Sequence, residues 1–173
     1  LEYDSGGTKA MDYQVVDVEG MPFTKAAQIE MKPMEEYPKL IYDVQMDTLI
    51  DTGTFEAGDV GLATFWARAT KITDESGVAR MRFCYEQLKY WNKACEDTVS
   101  IGKDWKKYYV PLYSGNYTLL KGSSHLCFSV GGKAQIIQVA DVHLYTYGKD
   151  VDIKTLVPDM GSYYHGMEED ALW

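Results

Sequence analysis

Apolar and polar residues alternate along most of this chain in short runs separated by turn-forming residues, the period of a strand rather than of a helix. MDYQVVDVEG runs to a turn at Gly20, and KAAQIEMK follows it. KLIYDVQMDT puts Tyr42, Val44 and Met46 on one side and Asp43, Gln45 and Asp47 on the other. TGTFEAGD is a turn-rich link to the long run VGLATFWARAT, and ESG breaks the chain before VARMRFCYEQL. KYWNKACED makes a loop or hairpin crest, and TVSIG, WKKYYVPLY, HLCFSVGG and QIIQVADVHLYTYG complete the series, with SGNYTLLKGSS as a second loop. No segment before residue 151 keeps a helical period for three turns. The pattern predicts an all-β fold, a two-sheet antiparallel β-sandwich of the jelly-roll kind with about eight to ten strands.

The alternation fades from KDVDIKTLVPDMGSYY onward, where Pro158 and Gly161 punctuate the chain. Residues 1–150 are thus expected to form the sandwich and 151–173 a linker that ends by opening a helix. Glu168, Glu169 and Asp170 stand at the start of that helix, where the macrodipole favours acidic side chains, and Ala171, Leu172 and Trp173 follow.

Successive side chains on a strand point to opposite faces, so each run divides into two sets. Ala63, Phe65, Ala67 and Ala69 suit the interior, leaving Thr64, Trp66 and Arg68 on the other side. Met81, Phe83 and Tyr85 face the core, with Arg80, Arg82, Cys84 and Glu86 outward; Leu126, Phe128 and Val130 face inward, with His125, Cys127 and Ser129 outward. If these strands are neighbours, one face carries Trp66, Arg68, Arg82, Glu86 and His125 together. Two readings fit such a face. It is an ordinary solvated surface with Arg–Glu cross-strand pairs, or a sugar site, where an aromatic ring packs on the C–H face of a pyranose and forked donors and acceptors meet its hydroxyls. Tyr90 and Trp91, adjacent at a loop crest, either plug the loop or reach the same ligand. Trp105 begins a strand and reads as structural.

Charge narrows the partner. The 173 residues carry 26 acidic against 17 basic side chains, net -9, and no basic run exceeds a pair such as Lys106-Lys107. No nucleic acid and no anionic membrane surface is expected as partner, and no stretch has the apolar length of a membrane span. A neutral partner fits. The 14 Tyr, against 5 Phe and 4 Trp, supply rings with a polar tip, suited to an amphipathic ligand. The chain begins without Met, as a mature or excised fragment would, and a monomer is expected.

Chemistry is not indicated. Sugar hydrolysis needs two carboxylates flanking the bond, and Glu86 alone sits beside an aromatic on a polar face. Ser123 and Ser124 precede His125 without a nucleophile-elbow pattern, and His125, His143 and His165 lack metal-site spacing. No cofactor is expected. Asp17, Glu19 and Asp141 are the oxygen donors available for a structural calcium ion. Cys84, Cys95 and Cys127 fit neither a disulfide framework nor a zinc spacing; they read as buried thiols, with a Cys84–Cys95 clip across one hairpin as the alternative.

Taken together, YDVQM, GDVGLATFWARAT, CYEQ, VSIGKDWKKYYVPL and CFSVGGKAQIIQVADVHLYTYGK resemble the jelly-roll carbohydrate-binding modules of families 4, 9 and 22 over residues 11–150. More particularly, they look like the module that precedes family 10 glycoside hydrolase domains in bacterial xylanases, and YHGMEEDALW resembles the segment that enters such a catalytic barrel. The resemblance implies an extracellular or cell-surface accessory module that binds xylan or a related β-glycan on one sheet, with the xylanase's catalytic domain as its C-terminal partner. Carried onto this chain, it implies Gln45, Trp66, Arg68, Glu86 and Gln135 as contacts, to which residue chemistry adds Tyr90, Trp91 and His125. The competing expectation is a structural spacer that packs on a catalytic domain and binds no glycan.

Overall fold

A computed structural model describes residues 2–4, 11–33, 41, 44–73 and 75–156. Among the described residues twelve strands run in chain order: β1 Glu2–Asp4, β2 Met11–Asp17, β3 Lys25–Met31, β4 Gln45–Leu49, β5 Thr54–Phe55, β6 Val60–Ile72, β7 Ala79–Gln87, β8 Lys93–Ile101, β9 Lys106–Tyr113, β10 Leu119–Leu120, β11 Ser124–Ser129 and β12 Gln135–Gly148. Ten of them form two five-stranded sheets, β1-β4-β11-β7-β8 and β2-β3-β12-β6-β9, and β5 pairs with β10 separately. Every pairing is antiparallel. The expected two-sheet antiparallel sandwich is therefore present.

The core lies where the alternation put it. Ala63, Phe65, Ala67 and Ala69 from β6 meet Met81, Phe83 and Tyr85 from β7 and Leu126 and Phe128 from β11, all buried. At its centre Phe65 stacks on Phe83 (centroids 5.4 Å) and Tyr108 (5.4 Å) and meets Phe128 edge-on (5.7 Å). The small Ala residues either side of Phe65 let this ring cluster fill the gap between the sheets. Tyr108 keeps its hydroxyl satisfied at the margin, donating to the Ser100 carbonyl at 3.1 Å. At one end Gly61 lets Phe55 and β12 close in, since a Cβ there would sit 2.4 Å from the Tyr145 carbonyl oxygen and 2.7 Å from the Phe55 ring.

The chain enters β7 not by a hairpin from β6 but by crossing to the other sheet. Phe65 and Phe83 touch because they face each other across the sandwich, so the outward residues of β6 and β7 lie on opposite surfaces. The strand count also exceeds the expected eight to ten, because the pairs Thr54–Phe55 and Leu119–Leu120 are too short for alternation to show. After β12 the described chain ends in a 3-10 turn, Ile153–Thr155, whose N-terminus is capped by the Asp152 carboxylate accepting from the Lys154 amide at 3.0 Å. The helix start expected at Glu168–Trp173 lies outside the described residues, as do Tyr42 and Asp43.

Candidate functional site

The outer face of the sheet β1-β4-β11-β7-β8 is built from three rungs set by strand register. Gln45, Ser129, Arg82 and Thr98 are opposite one another on β4, β11, β7 and β8; Asp47, Cys127, Cys84 and Glu96 form the next rung; Leu49, His125, Glu86 and Lys93 the third. These are the alternate residues that sequence parity assigns outward, yet the middle of the face is buried: Arg82, Cys84, Glu86, His125, Cys127 and Ser129 all are. Long polar side chains fold over one another and shield the floor.

They do so in one connected network. The Arg82 guanidinium donates from Nε to Glu96 Oε1 at 2.7 Å and from Nη1 to Ser129 Oγ at 3.2 Å, and its Nη2 lies 4.0 Å from Glu86 Oε2. Lys93 Nζ lies 3.1 Å from Glu86 Oε2 and 3.7 Å from Glu96 Oε2. The other oxygen of Glu86 stands 3.3 Å from His125 Nε2. Gln45 donates to Asp47 Oδ2 at 3.1 Å and accepts from Ser129 Oγ at 3.5 Å. Burial alone would raise the Glu86 pKa, but hydrogen bonds from His125, Lys93 and Cys84 outweigh it and hold the carboxyl at about 2. Lys93 is pushed upward, because its contacts with Glu86 and Glu96 more than offset its partial desolvation.

Over this network stands the β7–β8 crest. The Gln87 amide donates to the Asn92 carbonyl at 2.9 Å and the Asn92 side chain donates to Gln87 Oε1 at 2.9 Å, closing the turn. Trp91 occupies the left-handed region (φ 58°), a conformation that costs a bulky residue of order 1–3 kcal/mol. In that conformation its ring lies 6.4 Å from the His125 ring, yet Trp91 remains 58% exposed and its neighbour Tyr90 65% exposed. The plug reading of these two residues therefore fails: they stand out from the loop instead of filling it.

Of the residues expected at one face, Glu86, His125, Gln45, Tyr90 and Trp91 come together here. Trp66 and Arg68 do not. They lie on the outer face of the second sheet, because β6 belongs to that sheet. There Trp66 packs near Phe23 (6.0 Å), which itself packs on a small apolar cluster of Val18, Ala26 and Ala140, and Trp105 meets Phe23 edge-on at 5.0 Å. Arg68 spans 4.8 Å over the Trp105 ring and donates to Gln138 Oε1 at 2.8 Å, while Gln138 donates to Gln28 at 2.7 Å. Trp105 is thus structural, as its position suggests.

Gln135 also leaves the face. It is buried between the sheets, where Oε1 accepts from the Arg80 amide at 3.0 Å and Nε2 donates to the carbonyls of Arg80 (2.7 Å) and Val130 (3.0 Å). It ties β12 of one sheet to β7 of the other. Gln135→Ala would strand these backbone groups, each unsatisfied group costing roughly 1–3 kcal/mol. We expect a fall of about 2 kcal/mol in urea-unfolding stability, with the outer faces unchanged; a loss under about 0.5 kcal/mol would refute the clamp.

The cysteines are all buried thiols. A Cys84–Cys95 clip is ruled out by register: Cys95 is opposite Tyr85, so it faces the core while Cys84 faces outward. Asp17 is engaged by Lys25, and Asp141 by His143 Nε2 at 2.8 Å. Among the described residues the one trio whose His, Cys and carboxylate donor atoms converge is Asp47, His125 and Cys127, not a set drawn from Asp17, Glu19 and Asp141. Asp47, Lys93 and Glu96 joined the site without a sequence motif; the alternation Gln45-x-Asp47 was the signal available for the first, and a register irregularity at Glu86–Lys93 hid the others.

Among the described residues no helix is long and apolar enough to cross a membrane. A cleft of about 590 Å³ opens between the sheets and is lined by inner-face residues such as Tyr13, Met46, Leu126 and Phe128, away from the polar rungs.

No protein-family model matches the chain, and no curated protein matches it in sequence. Solved structures do share its fold. A family 4 carbohydrate-binding module is 16% identical, with a TM-score of 0.58 over 83% of this chain and 84% of that one. The N-terminal cellulose-binding domain of Cellulomonas fimi β-1,4-glucanase C is 15% identical, with a TM-score of 0.53 over 81% and 90%. An arabinose-bound α-L-arabinofuranosidase is 11% identical, with a TM-score of 0.61 over 80% of this chain but 22% of its own.

Proposed function

We propose that this chain is a non-catalytic module that binds a β-glycan of the xylan class on the face of β4, β11, β7 and β8. The observation that carries the reading is Trp91: a tryptophan held in a strained backbone conformation, exposed, at the edge of a buried row of donors and acceptors. Strain of this kind persists where the surrounding structure enforces it, and an exposed ring beside such a row is matched to a ligand with apolar and hydroxylated faces. Trp91 and Tyr90 would pack on sugar rings; the part-exposed Gln45, Asp47, Lys93 and Glu96 would meet hydroxyls, with buried Glu86 holding Lys93 in place. The face lacks the isolated carboxylate pair of a hydrolase, since Glu86 is ion-paired to Lys93 and held ionised and Glu96 is paired to Arg82. The likeness in fold to carbohydrate-binding modules and the resemblance of the strand motifs support the reading. It extends to residues 1–150 as the module and 151–173 as the link to a family 10 xylanase domain, outside the cell or on its surface, where binding would raise the enzyme's effective concentration at its polymer.

Affinity electrophoresis in arabinoxylan and glucuronoxylan gels tests this. The wild-type chain should be retarded, and Trp91→Gly should lose about 2 kcal/mol of binding, roughly 30-fold. Because glycine relaxes the left-handed residue, Trp91→Gly should melt no lower than wild type. Unretarded migration of folded wild-type protein would refute glycan binding. Retardation abolished by Trp66→Ala but not by Trp91→Gly would move the site to the second sheet.

A further inference from the structure

The middle rung of the polar face gathers donors of a different kind. Asp47, Cys127 and Cys84 stand directly opposite one another on β4, β11 and β7, and His125 lies two residues from Cys127 on the same face. His125 Nδ1 is 3.7 Å from Asp47 Oδ2 and 3.7 Å from Cys127 Sγ, and the ligand atoms of these three residues all lie within 4.8 Å of one another. An N···O separation of 3.7 Å is too long for a hydrogen bond. It matches the edge of a coordination tetrahedron: donors bound to zinc at about 2.0–2.3 Å stand about 3.3–3.8 Å apart.

We propose that Asp47, His125 and Cys127 form a binding site for a zinc-class divalent metal ion, with water in the fourth position. Mixed thiolate, imidazole and carboxylate donors select zinc over calcium or magnesium, which take oxygen. Cys84, the cross-strand partner of Cys127, stands outside the converging donor atoms, so a water completes the tetrahedron, as in zinc sites with three protein ligands. The groups around the donors are those that fix a metal site. Glu86 Oε1 faces His125 Nε2 at 3.3 Å and fixes the ring, Cys127 Sγ lies 3.5 Å from that Nε2 and 3.7 Å from Nδ1, and Gln45 holds Asp47 Oδ2 at 3.1 Å. Lys93 and Arg82 lie against the opposite oxygen of Glu86. The Cys127 thiol gives up its proton on binding, so one proton leaves and one thiolate, the Asp47 carboxylate and the neutral His125 imidazole surround the cation. Glycan binding is not assumed, and the site stands or falls separately from it.

The test uses reduced, chelator-treated full chain and metal alone. Titration with zinc should give one ion per chain, and cobalt should give tetrahedral d–d bands with a thiolate-to-cobalt charge-transfer band that zinc abolishes. Cys84→Ser should keep the charge-transfer band, since the Cys127 thiolate carries it. Cys127→Ser or His125→Ala should weaken binding by more than about 100-fold, and Glu86→Gln by about 10–100-fold, the usual cost of losing a group that orients a ligand. Wild-type protein that takes up less than one-tenth equivalent of zinc overturns the proposal whatever the variants do. So does a cobalt spectrum without a thiolate band, or one that Cys127→Ser and Asp47→Asn leave unchanged while both remain folded by near-UV circular dichroism.

Discussion

Phe65→Ala is expected to cost about 3–5 kcal/mol of folding stability, the range for a large buried aromatic replaced by alanine. The ring contacts Phe83, Phe128 and Tyr108 at centroid distances of 5.4 to 5.7 Å and belongs to the sheet opposite the first two. Its loss removes contacts from both layers at once, and the flanking Ala63 and Ala67 have no side-chain length with which to collapse into the gap. Single domains have about 5–15 kcal/mol in total, so the variant should be marginal. Chemical unfolding followed by tryptophan fluorescence measures it. A loss below about 1.5 kcal/mol would mean that the ring cluster repacks and is not the centre of the core.

Acid should unfold this protein chiefly through Glu86. The carboxyl falls from an ordinary 4.5 to about 2 in the folded chain, and a group that binds its proton more weakly when folded favours the fold wherever it is ionised. Its contribution is complete above about pH 5, drains away as the pH falls from 4.5 toward 2, and is of order 3 kcal/mol. The groups facing it are His125 and Cys127 on β11, Lys93 and Glu96 on β8, and Arg82 and Cys84 on its own strand. Glu86→Gln should therefore be less stable at pH 7, and the gap between wild type and variant should close between pH 5 and 2. A gap that stays constant over that window would place the dominant acid-sensitive carboxylate elsewhere.

On the proposed glycan-binding reading, the buried row and the exposed ring would divide the labour on this face. Arg82, Glu86, Lys93 and Glu96 satisfy one another, and a floor held in place before a ligand arrives would reduce the entropy lost on association. Trp91 and Tyr90 supply apolar area that remains more than half exposed, at 58% and 65%.

Which side of each strand faced the core was legible from alternation alone. Phe65, Phe83, Tyr85, Leu126 and Phe128 are buried as their period requires, because a one-residue slip would send every one of them to water. The outward sets, Arg82 with Glu86 and His125 with Cys127, were legible for the same reason. Strand neighbours were not. Six residues with turn character separate β6 from β7, and nothing in them distinguishes a hairpin from a crossing between layers. Only the meeting of Phe65 with Phe83 across the sandwich decides it, and that decision sends Trp66 and Arg68 to one surface and Glu86 and His125 to the other. Gln135 shows a second limit: strand period gives a side, but whether an amide there serves a ligand or clamps the backbone of the opposite sheet depends on contacts with residues far along the chain. Local alternation, a property of each strand by itself, determined the sandwich and its inner faces; long-range pairing alone set Asp47, Cys127 and Cys84 in one line and brought Trp91 beside His125.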